Sequence, residues 1–230
     1  MRRPRLCLVI PALNESSAIG EVLAEVPREI VDEVVVVDNG STDDTASVAL
    51  GHGAKVIFEP RRGYGNACLA AVRYLDGIEP EVVIFIDGDY SSDPGEIDRV
   101  LRPILRGEAD LVIGNRAPSM MEEGAMPLHA RLGNRLALAL LRILYGRSFS
   151  DLGPFRAIRW RSLKSLGMKD QTYGWNVEMM IKAFRMGLRV AEVDVSYRRR
   201  IGRSKISGAP INSIKAGYRI ILTVIRYLFG

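Results

Sequence analysis

Histidine and cysteine are scarce in this chain of 230 residues: His52, His129, Cys7 and Cys68 are the full complement. The four positions are scattered, so no His/Cys zinc set is available, and two cysteines exclude a disulfide scaffold. A Ser-His-Asp triad is disfavoured too, because no nucleophile-elbow motif accompanies the two histidines. No uninterrupted apolar run approaches the roughly 20 residues of a membrane span, although the mean hydropathy of +0.05 is high for a soluble protein. The opening Met1–Pro11 stretch has a basic tip but too short an apolar part for a signal peptide, and it reads as a first strand.

Acidic residues are missing from one region. Of 32 Lys+Arg, eight fall between Val195 and Gly230, which holds no Asp or Glu; the rest of the chain carries 24 basic against 27 acidic residues, a net charge of −3. The overall +5 therefore resides in the last 36 residues and points to an anionic partner: a phosphate-bearing substrate, an anionic lipid surface or nucleic acid.

What is present is a rhythm of short β-branched runs and helical patterns. Strands are expected at Arg5–Ile10, Glu33–Val37, Ala54–Phe58, Val82–Ile86 and Leu111–Ile113, then at Phe155–Ile158 and Arg189–Val195. The runs are continuously apolar, as parallel strands covered on both faces require. Helices are expected at Glu15–Val26, Asp43–Leu50, Gly65–Leu75, Pro94–Leu105, Leu132–Tyr145 and Trp175–Met186. The pattern predicts an α/β fold with a mostly parallel central sheet flanked by helices. An amphipathic helix is expected at Ile211–Phe229, packed on the core or lying at a membrane interface. Leu136–Leu144 is apolar nearly all round and reads as a buried core helix or a membrane-facing surface, core being the commoner outcome. One domain is the simplest organisation.

Open sheets of this class bind ligands beyond the carboxyl ends of their strands. Polar residues collect there: Pro11-Ala12-Leu13-Asn14-Glu15 after the first strand, Asp38-Asn39-Gly40-Ser41-Thr42-Asp43 after the second, Asp87-Gly88-Asp89-Tyr90 after the fourth. Each alone reads equally as a helix cap or a turn. Asp87 and Asp89, at i and i+2 in an extended segment, point to one side, and two carboxylates with phosphate oxygens and waters suit Mg²⁺ or Mn²⁺. Arg61-Arg62-Gly63-Tyr64-Gly65-Asn66-Ala67 is a second glycine-bearing loop; it follows the third strand and lacks a full dinucleotide fingerprint.

The segments V-I-P-A-L-N-E, V-V-V-V-D-N-G-S-T-D-D-T, R-R-G-Y-G-N-A and F-I-D-G-D-Y-S-S-D-P together resemble the family 2 glycosyltransferases with a GT-A fold. Within them the chain is similar to the dolichol-phosphate mannose synthase and polyprenyl-phosphate glycosyltransferase branch, from Leu6 to about Ser207. The resemblance implies a GT-A domain over 1–210, with the 211–230 helix belonging to it. It implies that Pro11, Ala12, Asn14, Glu15 and Gly63 line the nucleotide-sugar pocket, that Asp38 contacts the base, and that Asp87 and Asp89 hold the metal and diphosphate. Gly114-Asn115-Arg116 resembles the family's Gly-Ser-Arg, with Asn replacing Ser; Arg131 and Asn134 fall where relatives place acceptor-side groups. Asp151-Leu152-Gly153-Pro154-Phe155-Arg156 resembles the family's Asp-x-x-Ser-Gly-Phe-Arg signature without its Ser-Gly pair. Arg200-Ile201-Gly202-Arg203-Ser204-Lys205 resembles its basic loop; Arg199, Arg203 and Lys205 are expected to offset the diphosphate charge.

The catalytic set so implied is Asp89, Asp151, Glu178 and Arg116. A hydroxyl acceptor needs a base, for which Asp151 and Glu178 are the candidates; a lipid phosphate arrives already anionic and needs none. The activity expected is inverting transfer of a hexose from UDP-glucose or GDP-mannose to a polyprenyl phosphate, by an enzyme peripheral at the cytoplasmic membrane face. The alternatives are a soluble glycan or hydroxyl acceptor, and a sugar-phosphate nucleotidyltransferase. The latter expects a glycine-rich, Arg-containing loop after strand one, where Pro11–Glu15 stands instead. A nucleic-acid-binding module is disfavoured because the acidic strand ends repel polyanions.

Overall fold

The computed structural model describes residues 3–146, 148–202, 219 and 221–227. Seven strands are β1 (Leu6–Ala12), β2 (Glu33–Asp38), β3 (Lys55–Phe58), β4 (Val82–Phe85), β5 (Leu111–Met121), β6 (Arg156–Arg159) and β7 (Val190–Tyr197). The helices between them are α1 (Ile19–Ala24), α2 (Thr45–Gly51), α3 (Tyr64–Leu75), α4 (Ile97–Leu105), α5 (Leu128–Tyr145), α6 (Trp160–Leu166) and α7 (Trp175–Arg185). They form one sheet in the order β3-β2-β1-β4-β6-β5-β7. β1 pairs in parallel with both β2 and β4, and β5 with β7; only β6 runs antiparallel, between β4 and β5.

The uninterrupted apolar runs follow from this placement. Successive side chains of a strand point to opposite faces. Cys7, Val9, Val35, Val37, Val83 and Phe85 enter one core with α3, α6 and α7; Leu8, Ile10, Val34, Val36, Val82 and Ile84 enter the other with α1 and α4. Both faces are covered, so neither set is polar.

Most expected elements appear within a few residues of their sequence limits. Glu15–Val26 narrows to α1, because 16–18 form a turn rather than helix. β5 runs well past Ile113 because β7 gives it a partner as far as Arg116 and again at Met121. The short α6 has no counterpart in the sequence reading. α5 departs from the core expectation: only Ala137 and Leu141 are buried on it, while Leu128, Leu132, Leu136, Ile143 and Leu144 are exposed. Most of the 211–230 helix lies outside the described residues. The part that is described is helical over 221–226, buries Val224, and ties to the core through Tyr227 Oη, which donates to Glu178, and Thr223 Oγ1, which donates to Asp170.

The chain leaves β1 toward β2 on one side and later returns to β4 on the other. The crevice between the carboxyl ends of β1 and β4 is thus the switch point at which ligands bind in such sheets. The Asn14-Glu15 and Asp87–Asp89 segments both open from it.

Candidate active site

Side-chain hydrogen bonds stitch the loops after β1 and β2 together. Asn14 N donates to Ser41 Oγ at 2.9 Å, Thr42 N to Asn14 Oδ1 at 2.7 Å, and Glu15 N to Thr45 Oγ1 at 2.8 Å. Asp38, buried at the end of β2, accepts from Ser41 N at 2.9 Å. Pro11 and Ala12 are buried at the end of β1. Asn14 adopts a φ of 51°, one of the few left-handed non-glycine residues, which Asn tolerates best.

The glycine loop serves packing. Asn39 donates to Glu59 O and Arg61 O and accepts from Gly63 N, which fixes the loop on β2. Gly63 has a φ of 139°, and a Cβ there would stand 2.2 Å from Gln171 O; at Gly65 it would stand 2.1 Å from Asp170 O. Close backbone packing against 170–171 thus accounts for glycine at both positions. The sequence places Asn39 at the end of the second strand but not in this role, because a buried amide that organises a neighbouring loop has no local signal.

Beyond β4, Asp87 and Asp89 differ in their partners. Asp87 Oδ1 is buried without a hydrogen-bond partner; the Tyr64 hydroxyl stands close but makes no aligned bond. Burial pushes the Asp87 carboxyl well above the usual carboxylate range, and the Asp89 charge adds to the rise, while the nearby Tyr64 hydroxyl, Arg116 and Arg200 only partly offset it. Asp89 Oδ1 accepts from Ser91 N at 3.0 Å and Ser91 Oγ at 2.6 Å. Its Oδ2 lies 3.1 Å from Arg200 Nη1, and the other end of that guanidinium, Nη2, donates to Glu15 Oε1 at 3.1 Å.

An orphaned buried carboxylate oxygen beside a second carboxylate fits a divalent cation. No group of three or more His, Cys, Asp or Glu able to hold a metal exists among the described residues. The pair therefore suits a hard ion that keeps waters and phosphate oxygens in its shell.

A second cluster adjoins the pair. Arg116, on β5, grips Asp151 through Nε and Nη2 at 2.6 and 2.7 Å, and its backbone N–H adds a third bond at 3.0 Å. Burial raises the Asp151 carboxyl, but the bonds and charge of Arg116 outweigh it and hold the carboxyl below its ordinary value. The Arg116 guanidinium also stacks 5.0 Å from the Tyr197 ring centroid. Fully buried Arg156 shapes the loop carrying Asp151, donating to Gly153 O, Leu152 O and Asn176 O. Asn134 Oδ1 accepts from Leu152 N at 3.2 Å, so α5 is tied to the same loop. Arg131 is exposed beside Met121 Sδ at 3.5 Å.

Two expected residues stand elsewhere. Glu178 is fully buried and accepts from Lys169 N, Asp170 N, Lys182 Nζ and Tyr227 Oη, so its carboxylate is committed to holding α7, the 169–170 segment and the C-terminal helix. Arg199 turns to Glu122 and Glu123 O, while Arg200 takes the place beside Asp89. Arg203 and Lys205 lie outside the described residues.

A further group, unnoticed in the sequence, braces this edge. Tyr90 has a φ of 67°, and its hydroxyl donates to Glu25. Arg198 stacks 4.8 Å from the Tyr90 ring centroid and pairs with Glu25 at 2.7 Å and Asp93 at 2.5 Å. Arg198 N to Ser91 O and Ile201 N to Asp89 O carry the brace into the Asp89 segment.

Comparison with known proteins decides the family. The family described as Glycosyl transferase family 2 matches residues 7–192. The chain belongs to glycosyltransferase family 2. An uncharacterized glycosyltransferase of Mycobacterium tuberculosis is 40% identical over 210 residues, 91% of this chain and 93% of that protein. A dolichyl-phosphate hexose transferase of Haloferax volcanii is 35% identical over 205 residues, 87% of this chain and 86% of that protein. The crystal structure of glucosyl-3-phosphoglycerate synthase from Mycobacterium tuberculosis with Mn²⁺, UDP-glucose and phosphoglyceric acid has a TM-score of 0.79 and 27% identity, covering 98% of this chain and 80% of that one. This family 2 enzyme thus has the GT-A architecture expected from its motifs.

Proposed function

We propose that this glycosyltransferase moves a hexose, with inversion, from a nucleoside diphosphate sugar to a polyprenyl phosphate at the cytoplasmic membrane face. The observation that carries the acceptor reading is that both carboxylates nominated as bases are occupied: Asp151 by Arg116 and Glu178 by four donors. A phosphate acceptor brings an anionic oxygen and has no proton to surrender. The likeness to a dolichyl-phosphate hexose transferase supports the same acceptor.

Asp87 and Asp89 would hold Mg²⁺ or Mn²⁺, which supplies Lewis-acid neutralisation of the leaving diphosphate. Asn14, Glu15 and Asp38 border the crevice where the nucleotide would sit. Arg200, once released from Asp89, is placed to face the diphosphate, the role expected of Arg199. Arg116, held rigid by Asp151 and Tyr197, would orient the acceptor phosphate together with Arg131. The acceptor oxygen forms a bond to the anomeric carbon as the carbon–oxygen bond to the diphosphate breaks, and the electron pair departs with the nucleotide.

Likeness to the phosphoglycerate enzyme favours a second reading, a small anionic acceptor with a free hydroxyl. Labelled UDP-glucose and GDP-mannose, each offered undecaprenyl phosphate or phosphoglyceric acid with Mn²⁺, separate the two. Label in the lipid extract is the expected result; label only in the phosphoglyceric acid product overturns the lipid acceptor.

A further inference from the structure

α5 presents an apolar ridge to solvent. Leu128, Leu132, Leu136 and Ile143 are 72%, 55%, 54% and 76% exposed. With 100° between successive residues, the four fall within an arc of about 80° and run for about 22 Å along the helix. A ridge of that length on a surface element, with half or more of each side chain in water, marks an interaction surface.

The ridge is flanked by charge of one sign. Exposed Arg131, Arg135 and Arg142 lie together along one border, and α5 contains no Asp or Glu. Near its C-terminal end, Tyr145 Oη donates to Val224 O at 2.8 Å, so the described C-terminal helix segment adjoins it. That segment exposes Leu222 and Ile225, together with Arg219 and Arg226. Two neighbouring helices thus repeat one composition, exposed aliphatic side chains with arginine beside them.

A second copy of the chain suits this surface poorly. A two-fold pairing through α5 would bring arginines toward arginines, with no carboxylate on either helix to receive them. An anionic bilayer meets both features at once, because the apolar ridge enters the acyl boundary while the guanidinium groups remain at the phosphates.

We infer that α5, extended by the adjoining helical segment 221–226, is the surface by which the enzyme lies on anionic lipid. This deepens the proposed lipid-phosphate reading and rests on it for its purpose. Asn134, on the N-terminal half of α5, accepts from Leu152 N in the Asp151 loop, so a lipid headgroup at the ridge would reach that edge of the site.

The test is flotation of the full chain with vesicles of phosphatidylcholine alone or phosphatidylcholine mixed with phosphatidylglycerol. The wild-type chain is expected to float with the anionic vesicles. The triple variant Leu132→Gln, Leu136→Gln, Ile143→Gln keeps helix-forming side chains and is expected to bind about tenfold more weakly or worse. The pair Arg135→Gln, Arg142→Gln is expected to weaken binding about fivefold or more per arginine, with loss of the anionic preference. Unchanged thermal unfolding and Mn²⁺-dependent nucleotide binding certify that both variants are folded. Wild-type flotation by the triple variant overturns the inference, as does a wild-type dimer that this variant dissociates. Transfer to a short-chain, water-soluble polyprenyl phosphate reports separately on the acceptor. If that transfer is absent while vesicle binding depends on the ridge, the acceptor reading fails and the docking surface stands.

Discussion

Arg200 Nη1 sits 3.1 Å from Asp89 Oδ2, so the guanidinium occupies one of the carboxylates assigned to a cation. A cation held at Asp89 would therefore compete with Arg200. Arg200→Ala is expected to tighten Mn²⁺ binding to the nucleotide-free protein by about three- to tenfold. The same variant should lose about 100-fold in turnover, because a charge facing the departing diphosphate is gone. Calorimetric titration with Mn²⁺ and steady-state kinetics read the two effects; an unchanged Mn²⁺ affinity would refute the competition.

Asp87 carries a different balance. Its buried, unpartnered Oδ1 beside Asp89 costs stability in the metal-free protein. Asp87→Asn removes that like-charge contact and is expected to raise the melting temperature in EDTA by a few degrees. Mn²⁺ should no longer stabilise the variant, and turnover should fall about 100-fold or more. A lower melting temperature in EDTA would count against a site strained in favour of cation binding.

Glu178 separates a structural from a chemical role. Its four donors join α7 to the 169–170 segment and to Tyr227. Glu178→Gln is expected to lower stability by about 1–3 kcal/mol while leaving kcat within about threefold of wild type at a temperature where the variant is folded. A drop of 100-fold in kcat with an unaltered melting curve would restore it as a base.

Glu59 is one of the carboxyls that give stability its pH dependence. The Arg61 hydrogen bond and charge, aided by Arg73, hold its carboxyl down at about 2 against an ordinary value of 4.5, although burial opposes them. The folded value lies below the unfolded one, so the stabilisation is complete above about pH 4.5 and disappears as pH falls toward 2. Glu59→Gln is expected to flatten the stability curve across that window. Urea denaturation between those pH values measures the slope, and a slope equal to wild type would remove Glu59 as a contributor.

Much of the fold was legible because the signals are local. Val34–Val37 and Val82–Ile86 are too short and too β-branched for helices, and their lack of alternation foretold cover on both faces. The Asp87–Asp89 segment was legible as two carboxylates just after β4, but β4 ends at Phe85 and Gly88 and Asp89 form a turn rather than the extended run assumed for the i, i+2 pair. The same logic failed at Arg198-Arg199-Arg200. Three adjacent arginines look alike in sequence, yet Arg198 stacks on Tyr90, Arg199 binds the 122–123 segment and Arg200 meets Asp89. Only the path of the backbone after β7 distributes them.

The sequence by itself determined the strand–helix alternation and the polar and acidic residues at the strand ends, because periodicity and spacing act over a few residues; the order of the strands, and with it the crevice between β1 and β4, came from the structure. Tertiary structure alone decided that Asp151 is clamped by Arg116, that Glu178 is consumed in packing, and that Leu128, Leu132 and Leu136 of α5 face water while Leu141 is buried. Those outcomes depend on which surface arrives opposite each side chain. Partners such as Glu178 and Tyr227 are separated by 49 residues and meet only when the chain closes.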